Sequence, residues 1–453
     1  MGSIQTSKDQ IHVIIGSTHR FSHLEKAKVI GAHLIKRGYR VTILAGPSVR
    51  DEVESIGALF APMQGRAGGS PIKPAYNQPP PPWAEEMEVS ALKNFFIGPI
   101  PDEYKSVQDV LKTLRETEGE ETKVVYMDDI ICGAMLPVYF GAPGAIRPKG
   151  VIKIGTTPLP HESAGTPTWT LGIPSPSTDS GSVGDLWGTK KEIYTSDDIQ
   201  GHFENVLREM GIPADNLKPG SLPRFMHSQG TCCDAYLSLS IPEFEFPRSD
   251  APESIQFVGA LPTVGSVPSN LPEWWDEVIH AQGPAKKPIV VVSQGAVNND
   301  PTDLILPTIE ALKDEDVAVI ATLVRGPKIE VDLPSNVKLA EFIPFDILLR
   351  HTDVLVSNGG FGTVQMALSL GVPMVLAGVY LDKYYTNSRA ASMGAAINLG
   401  CERVEPSVVK TAVCDILSDQ KRKERCLQIK EKYAEYNALD KIVDYVDALA
   451  SKP

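Results

Sequence analysis

No apolar run in the 453-residue chain reaches the roughly 18 residues that a membrane-spanning helix needs. The first ten residues are polar and hold no signal-peptide core, so a cytoplasmic protein is expected. Met1-Gly2-Ser3-Ile4-Gln5-Thr6 does fit the loose pattern for acylation at Gly2. An excess of positive charge is also missing. Lys and Arg number 43 against 56 Asp and Glu, a formal charge of −13, which argues against nucleic acid or an anionic membrane as the main partner. Cysteine is sparse: six residues with no C-x-x-C pair and no metal-ligand spacing, which implies reduced thiols rather than a disulfide framework or a metal centre. No internal repeat is evident. After the first strand stands only Gly16-Ser17-Thr18, so the glycine fingerprint of a dinucleotide oxidoreductase is absent.

With 42% hydrophobic and 22% charged residues, what remains is an ordinary globular composition. The length exceeds what one core supports, so two domains of roughly 200 residues each are expected. The first half opens as an α/β unit: an apolar strand over Ile11–Ile15, a helix from Leu24 to Lys36 closed by Gly38, then a strand over Val41–Ala45. A further strand, Val124–Met127, runs into Asp128 and Asp129. Residues 62–85, with Pro79 to Pro82 in a row, and residues 156–188 read as long loops, which in an α/β scaffold usually shape binding sites. Pro-rich sequence from 242 to 284 marks a linker. A second α/β set follows, with strands from Ile289, Val317, Val337, Val354 and Met374. Val443, Val446 and Leu449 form the apolar stripe of a last helix.

Residues 353–376 are the most informative stretch. A buried strand runs into a turn with Gly359, Gly360 and Gly362, then a short helix that ends at Gly371, then another apolar strand. Such a unit presents unpaired backbone N–H groups and a positive helix end at the carboxyl edge of a parallel sheet, where phosphates bind. Close helix–sheet packing would also account for the glycines. Ser293-Gln294-Gly295-Ala296 forms a second anion-friendly turn. In the first half, His19 and His23 follow the first strand, where a neutral imidazole can take a proton from a hydroxyl near pH 7. Asp128 and Asp129 either support such a histidine or cap the helix that starts at Ile130. Asp382-Lys383 is suited to sugar hydroxyls, or is a solvated turn. Phe342 is suited to stack on a base, or is core.

In order and spacing, these features resemble a family 1, UGT-type glycosyltransferase of the GT-B fold, in the bacterial and fungal branch that glycosylates natural products. The resemblance rests on Ser293-Gln294-Gly295-Ala296, Asn358-Gly359-Gly360-Phe361-Gly362, Ala367-Leu368, Gly371-Val372-Pro373 and Asp382-Lys383, with Arg147-Pro148 and Gly155-Thr156-Thr157-Pro158-Leu159 upstream. It implies an α/β fold of two Rossmann-like domains facing a central cleft, with the C-terminal helix returning to the first domain. The expected boundaries are 1–255 for the acceptor domain, 256–285 for the linker, 286–430 for the nucleotide-sugar domain and 431–453 for the closing helix.

The resemblance also implies roles. Counting back from Arg37-Gly38 places His23 at the position of the family's general base, and Asp128, rather than Asp129, at that of its supporting carboxylate. Lys26 stands where the family has Pro. The donor diphosphate is expected against Gly295, Asn358, Gly359, Gly360, Gly362 and Thr363, the sugar hydroxyls against Asp382 and Lys383, and the base near Phe342. Met366 occupies the place of a ribose-binding Glu, with Gln365 beside it as a substitute. Phe95, Phe96, Trp169 and Trp187 are the candidate acceptor-lining residues. The function implied is metal-independent, inverting transfer of a hexose, glucose from UDP-glucose, to a hydroxyl of a small apolar, phenolic or polyketide acceptor, with no cofactor beyond the UDP-sugar co-substrate, by a monomer or weak dimer. A nucleotide-sugar epimerase and a non-catalytic nucleotide-sugar-binding protein are the rival classes.

Overall fold

The computed structural model describes residues 8–18, 21–69, 89–119, 122–161, 196–246, 248, 250–262, 271–281, 283, 286–295, 300–323, 329 and 331–452. Trp169, Trp187 and His19 lie outside this set, as do Gly2, the proline run from Pro79 to Pro82 and most of the second loop.

Ile11–Gly16 (β1) is buried at every position, as expected for an apolar strand covered on both faces of a parallel sheet. The helix Phe21–Lys36 follows, then Arg40–Ala45 (β2), Leu59–Pro62 (β3), Lys123–Asp129 (β4), Gly150–Gly155 (β5), Ala235–Ser238 (β6) and Ile255–Phe257 (β7). These seven strands form one sheet in the order β3-β2-β1-β4-β5-β6-β7. The second sheet holds Ile289–Ser293 (β8), Ala318–Thr322 (β9), Val337–Ala340 (β10), Val354–Ser357 (β11), Met374–Leu376 (β12) and Ala396–Asn398 (β13), ordered β10-β9-β8-β11-β12-β13. All the strand pairs are parallel. Each sheet therefore winds outward from its own first strand and reverses direction once, between β1 and β4 in the first and between β8 and β11 in the second. In doubly wound sheets, ligands settle at the carboxyl ends of the strands flanking that reversal.

Two helices close the chain. Gln420–Ala434 lies against the glycine-turn helix Phe361–Leu370, with Cys426 and Ile429 buried. Asn437 caps the next helix, Ala438–Ala450, by accepting from the Asp440 N–H at 3.2 Å. That helix returns to the first domain: Leu449 fills the space in front of Gly150, the Tyr39 hydroxyl donates to Asp447, and Arg37 pairs with Asp440. The expected stripe of Val443, Val446 and Leu449 is buried there.

β7 pairs with β6, so the first sheet reaches to Phe257. The expected linker also contains the short helix Trp275–Ile279, whose Trp275 meets His351 of the second domain edge-on at 6.0 Å. The domains are tied more deeply by Arg389, which is wholly buried. Its Nε donates to Glu245 at 2.9 Å, and its guanidinium lies 4.6 Å from the centre of the Phe246 ring.

Candidate active site

Strand parity governs the first half of the site. Successive side chains on a strand point to opposite faces. Val125 and Met127 join Val13, Ile15, Leu24, Ala27 and Ile30 in the core under the helix Phe21–Lys36. Val124 and Tyr126 join Val107 and Leu111 on the other face. Asp129 therefore faces the first helix and Asp128 faces away from it.

The result is a correction to the expected pairing. The carboxylate on the His23 ring is Asp129, whose Oδ2 accepts from Nδ1 at 2.6 Å. Its second oxygen accepts from the Ile131 N–H at 2.9 Å. Burial pushes the Asp129 carboxyl up, but His23, Ile131 and Lys153 outweigh it and hold the group below its ordinary range. It is thus a fixed negative charge that orients the imidazole with Nδ1 as donor and leaves Nε2 as the proton acceptor.

Asp128 lies directly across from Lys153 of β5 in the sheet register. The two pair at 2.6 Å with almost no exposure. Burial pushes Asp128 up to about 7, with Lys153 opposing. The Lys153 ammonium also donates to the Cys132 and Asp129 carbonyls, and despite burial Asp128 holds it above the ordinary lysine range. Behind them, Glu103 accepts from the Gly133 N–H at 2.7 Å, and burial raises it to about 8. A small, half-open pocket of about 20 Å³ is lined by Ser17, His23, Lys26, Asp128, Asp129 and Thr156, among others.

The second half of the site is neutral and built from backbone. Ser293 and Ser357 face each other in register at the ends of β8 and β11. Just beyond the strand ends, the Gly295 N–H donates to Asn358 Oδ1 at 3.2 Å, joining the two turns. Gly359 has φ +81°, and a side chain there would overlap Asn387 Oδ1, so glycine is required. Gly360 is the N-cap of Phe361–Leu370 and provides no side-chain cap, which leaves the amide groups around Gly362 and Thr363 at an open positive helix end.

Asp382 stands at the N-cap position of the helix Lys383–Ser392 and makes no side-chain capping hydrogen bond there. Burial raises its carboxyl, opposed by Lys383, then by His23 and Lys26 across the cleft. The two halves are therefore in electrostatic contact. Lys383 itself is buried beside Gly378 and Glu402, so Asp382 is the more accessible member of the pair. Phe342 follows β10 and is 56% exposed.

Other expected residues fall elsewhere. Gln365 is buried and accepts from the Tyr433 hydroxyl, so it is not turned toward a ribose. Phe96 belongs to a satellite core with Phe140, Phe203 and Phe225, and is structural rather than exposed lining, whereas Phe95 is exposed. Lys153 and Glu103 had no signal in the sequence. Asp129 did have one: the alternation of Val125 and Met127 with Val124 and Tyr126 fixes its face.

Two parallel-sheet Rossmann-like domains, each contributing its reversal edge to one cleft, are the GT-B architecture. Solved structures agree on the fold. The glycotransferase of kitacinnamycin superposes with a TM-score of 0.66 at 18% identity, covering 97% of this chain and 98% of that one. The glycosyltransferase VinC, in complex with DTDP, gives 0.63 at 18%, covering 98% and 100%. Residues 306–449 match the family described as erythromycin biosynthesis protein CIII-like, C-terminal domain. Over nearly the whole length the chain is 39% identical to UDP-glycosyltransferase 2 of Phaeomoniella chlamydospora, covering 97% of this chain and 96% of the relative. It is 30% identical to 4'-demethylrebeccamycin synthase of Lentzea aerocolonigenes, covering 96% and 98%. The chain belongs to the UDP-glycosyltransferase family and is a glycosyltransferase. Among the described residues, no helix is long and apolar enough to cross a membrane.

Proposed function

We propose that the protein transfers glucose from UDP-glucose, with inversion and without a metal, to a hydroxyl of a small apolar acceptor. The observation that carries this reading is the 2.6 Å contact between His23 Nδ1 and Asp129 Oδ2 at a sheet edge facing an uncapped glycine turn. Nε2 of His23 takes the acceptor proton as the acceptor oxygen bonds to the anomeric carbon. The bond from that carbon to the diphosphate oxygen breaks, and its electron pair leaves with UDP. Asp129 balances the imidazolium that forms. The amide groups at the start of Phe361–Leu370 and the Asn358 side chain receive the diphosphate, Asp382 holds sugar hydroxyls, and Phe342 stacks on the base.

Two relatives in Starmerella bombicola and Beauveria bassiana are named UDP-glucosyltransferases, at 30% and 28% identity, which supports UDP-glucose as the donor. The test is UDP release from UDP-glucose and from other nucleotide sugars, in EDTA, against a panel of phenolic and polyketide acceptors, with wild-type and His23→Ala protein. Acceptor-dependent turnover in EDTA that vanishes in the variant is expected. Turnover that survives the substitution removes His23 as base, and release without acceptor in both proteins removes the transferase reading.

A further inference from the structure

The glycine turn has a deficit. Gly295, Asn358, Gly359, Gly360, Gly362 and Thr363 bring dipoles to a diphosphate but no formal positive charge. Lys383, which follows the next strand, is buried and balanced by Glu402 and Asp382. A leaving diphosphate gains negative charge, and dipoles alone stabilise it less than a cation does.

The first domain brings a cation to that place. Lys26 lies one turn beyond Ser22 on the first helix, with Nζ donating to the Ser22 carbonyl at 2.9 Å. It is three residues from His23, so the two share a helix face, and both line the same pocket. Across the cleft it meets the start of the glycine-turn helix: an ideal Cβ on Gly362 would stand 3.4 Å from Lys26 Nζ. The Lys26 ammonium thus lies in ordinary van der Waals range of the start of that helix. Burial pulls the ammonium below the ordinary lysine range, while Asp129 and Asp382 act to keep its charge. No carboxylate among the described residues lies within ion-pair distance of Nζ, which leaves the charge available to an anion.

We propose that Lys26 is a donor-binding residue whose ammonium meets the diphosphate of the nucleotide sugar from the first-domain side of the cleft. It completes from the opposite domain the charge that the glycine turn lacks, and carries part of the negative charge on the β-phosphate oxygen as the anomeric bond breaks. The inference rests on the nucleotide-sugar reading above.

Calorimetric titration of UDP and of uridine into wild-type, Lys26→Met and Lys26→Arg proteins separates the possibilities. Lys26→Met is expected to weaken UDP about ten- to hundredfold, as for loss of a charge-assisted contact, and to leave uridine unchanged. Lys26→Arg is expected to recover most of the UDP affinity. Equal UDP affinity in wild type and Lys26→Met overturns the proposal, and so does an equal loss for UDP and uridine, which marks a structural role. Wild-type protein that binds neither ligand overturns the nucleotide-sugar reading itself, an outcome distinct from both.

Discussion

The two sheets share one winding order, yet their reversal edges are made of opposite materials. At the first, between β1 and β4, side chains with charge crowd together: His23, Asp128, Asp129, Lys153 and, behind them, Glu103. At the second, between β8 and β11, the same topology presents glycines, an amide and a bare helix end. Topology thus selects where a ligand sits, and the residues at the edge select what is done to it. Proton transfer needs groups whose charge changes, held by buried partners that tune them. Anion binding draws on fixed dipoles that need no reorganisation, to which a cation from the opposite edge adds formal charge.

The largest effect is expected at the charged edge. His23→Ala is expected to lower kcat by about 10² to 10⁴, while UDP binding, in which the proposed reading gives His23 no part, stays within about twofold by calorimetry. A comparable loss of UDP affinity would show that the edges do not divide the labour.

Next in size is the contrast between adjacent aspartates. Asp129→Asn leaves the imidazole without its anionic partner and is expected to cost about 10²-fold or more in kcat. Asp128→Asn should leave kcat within about tenfold. It takes the charged partner from the buried Lys153, so its main effect is a loss of stability in urea unfolding that grows above about pH 7, where Asp128 is ionised, and is small at about pH 5. The reverse ranking of the two in kcat would restore Asp128 as the catalytic partner.

How far these distinctions were legible in the sequence depends on how local they are. The strands at Ile11, Ile289 and Val354 and the closing stripe of Val443, Val446 and Leu449 announced themselves through apolar runs and spacing. The second edge is legible because the function proposed for it resides in backbone, and glycine is the mark of special backbone: Gly359, at φ +81°, reads as a turn from the sequence alone, whereas its close approach to Asn387 does not. The first edge is harder to read, because the function proposed for it depends on which side chains meet. His23 and Asp129 are 106 residues apart. Asp128 opposes Lys153 only because β5 is the neighbour of β4. Gln365 looked polar and suitably placed, but its helix face turns it to Tyr433 on a helix much later in the chain.

The buried acids give the comparison a pH signature. Glu103 sits at about 8 and Asp128 at about 7 in the fold, against about 4 in the unfolded chain. The folded state then holds more protons than the unfolded one between about pH 4 and 8. Their contribution to stability is complete below about pH 4 and is lost as pH rises through 7 and 8. Urea midpoints at pH 5, 6, 7 and 8 should fall across the series. Glu103→Gln, which keeps the acceptor for Gly133, should flatten the slope by at most about 1.4 kcal/mol per pH unit. An unchanged slope would mean that Glu103 is ionised in the fold.

The smallest expected effect lies at the neutral edge, where each contact is individually weak. Phe342 is exposed at the end of β10, and stacking of an aromatic ring contributes about 0.5–1.5 kcal/mol. Phe342→Ala should therefore raise the KM for UDP-glucose roughly two- to twelvefold and leave kcat alone, since the ring touches no reacting atom. Its companion measurement separates it from Lys26. Uridine should lose the same factor as UDP in Phe342→Ala, because both carry the base, whereas inhibition by inorganic pyrophosphate should not change. Lys26→Met should do the opposite on both counts. If Phe342→Ala instead weakens pyrophosphate and spares uridine, the nucleotide lies in the cleft in the reverse direction, and the second edge holds the base rather than the diphosphate.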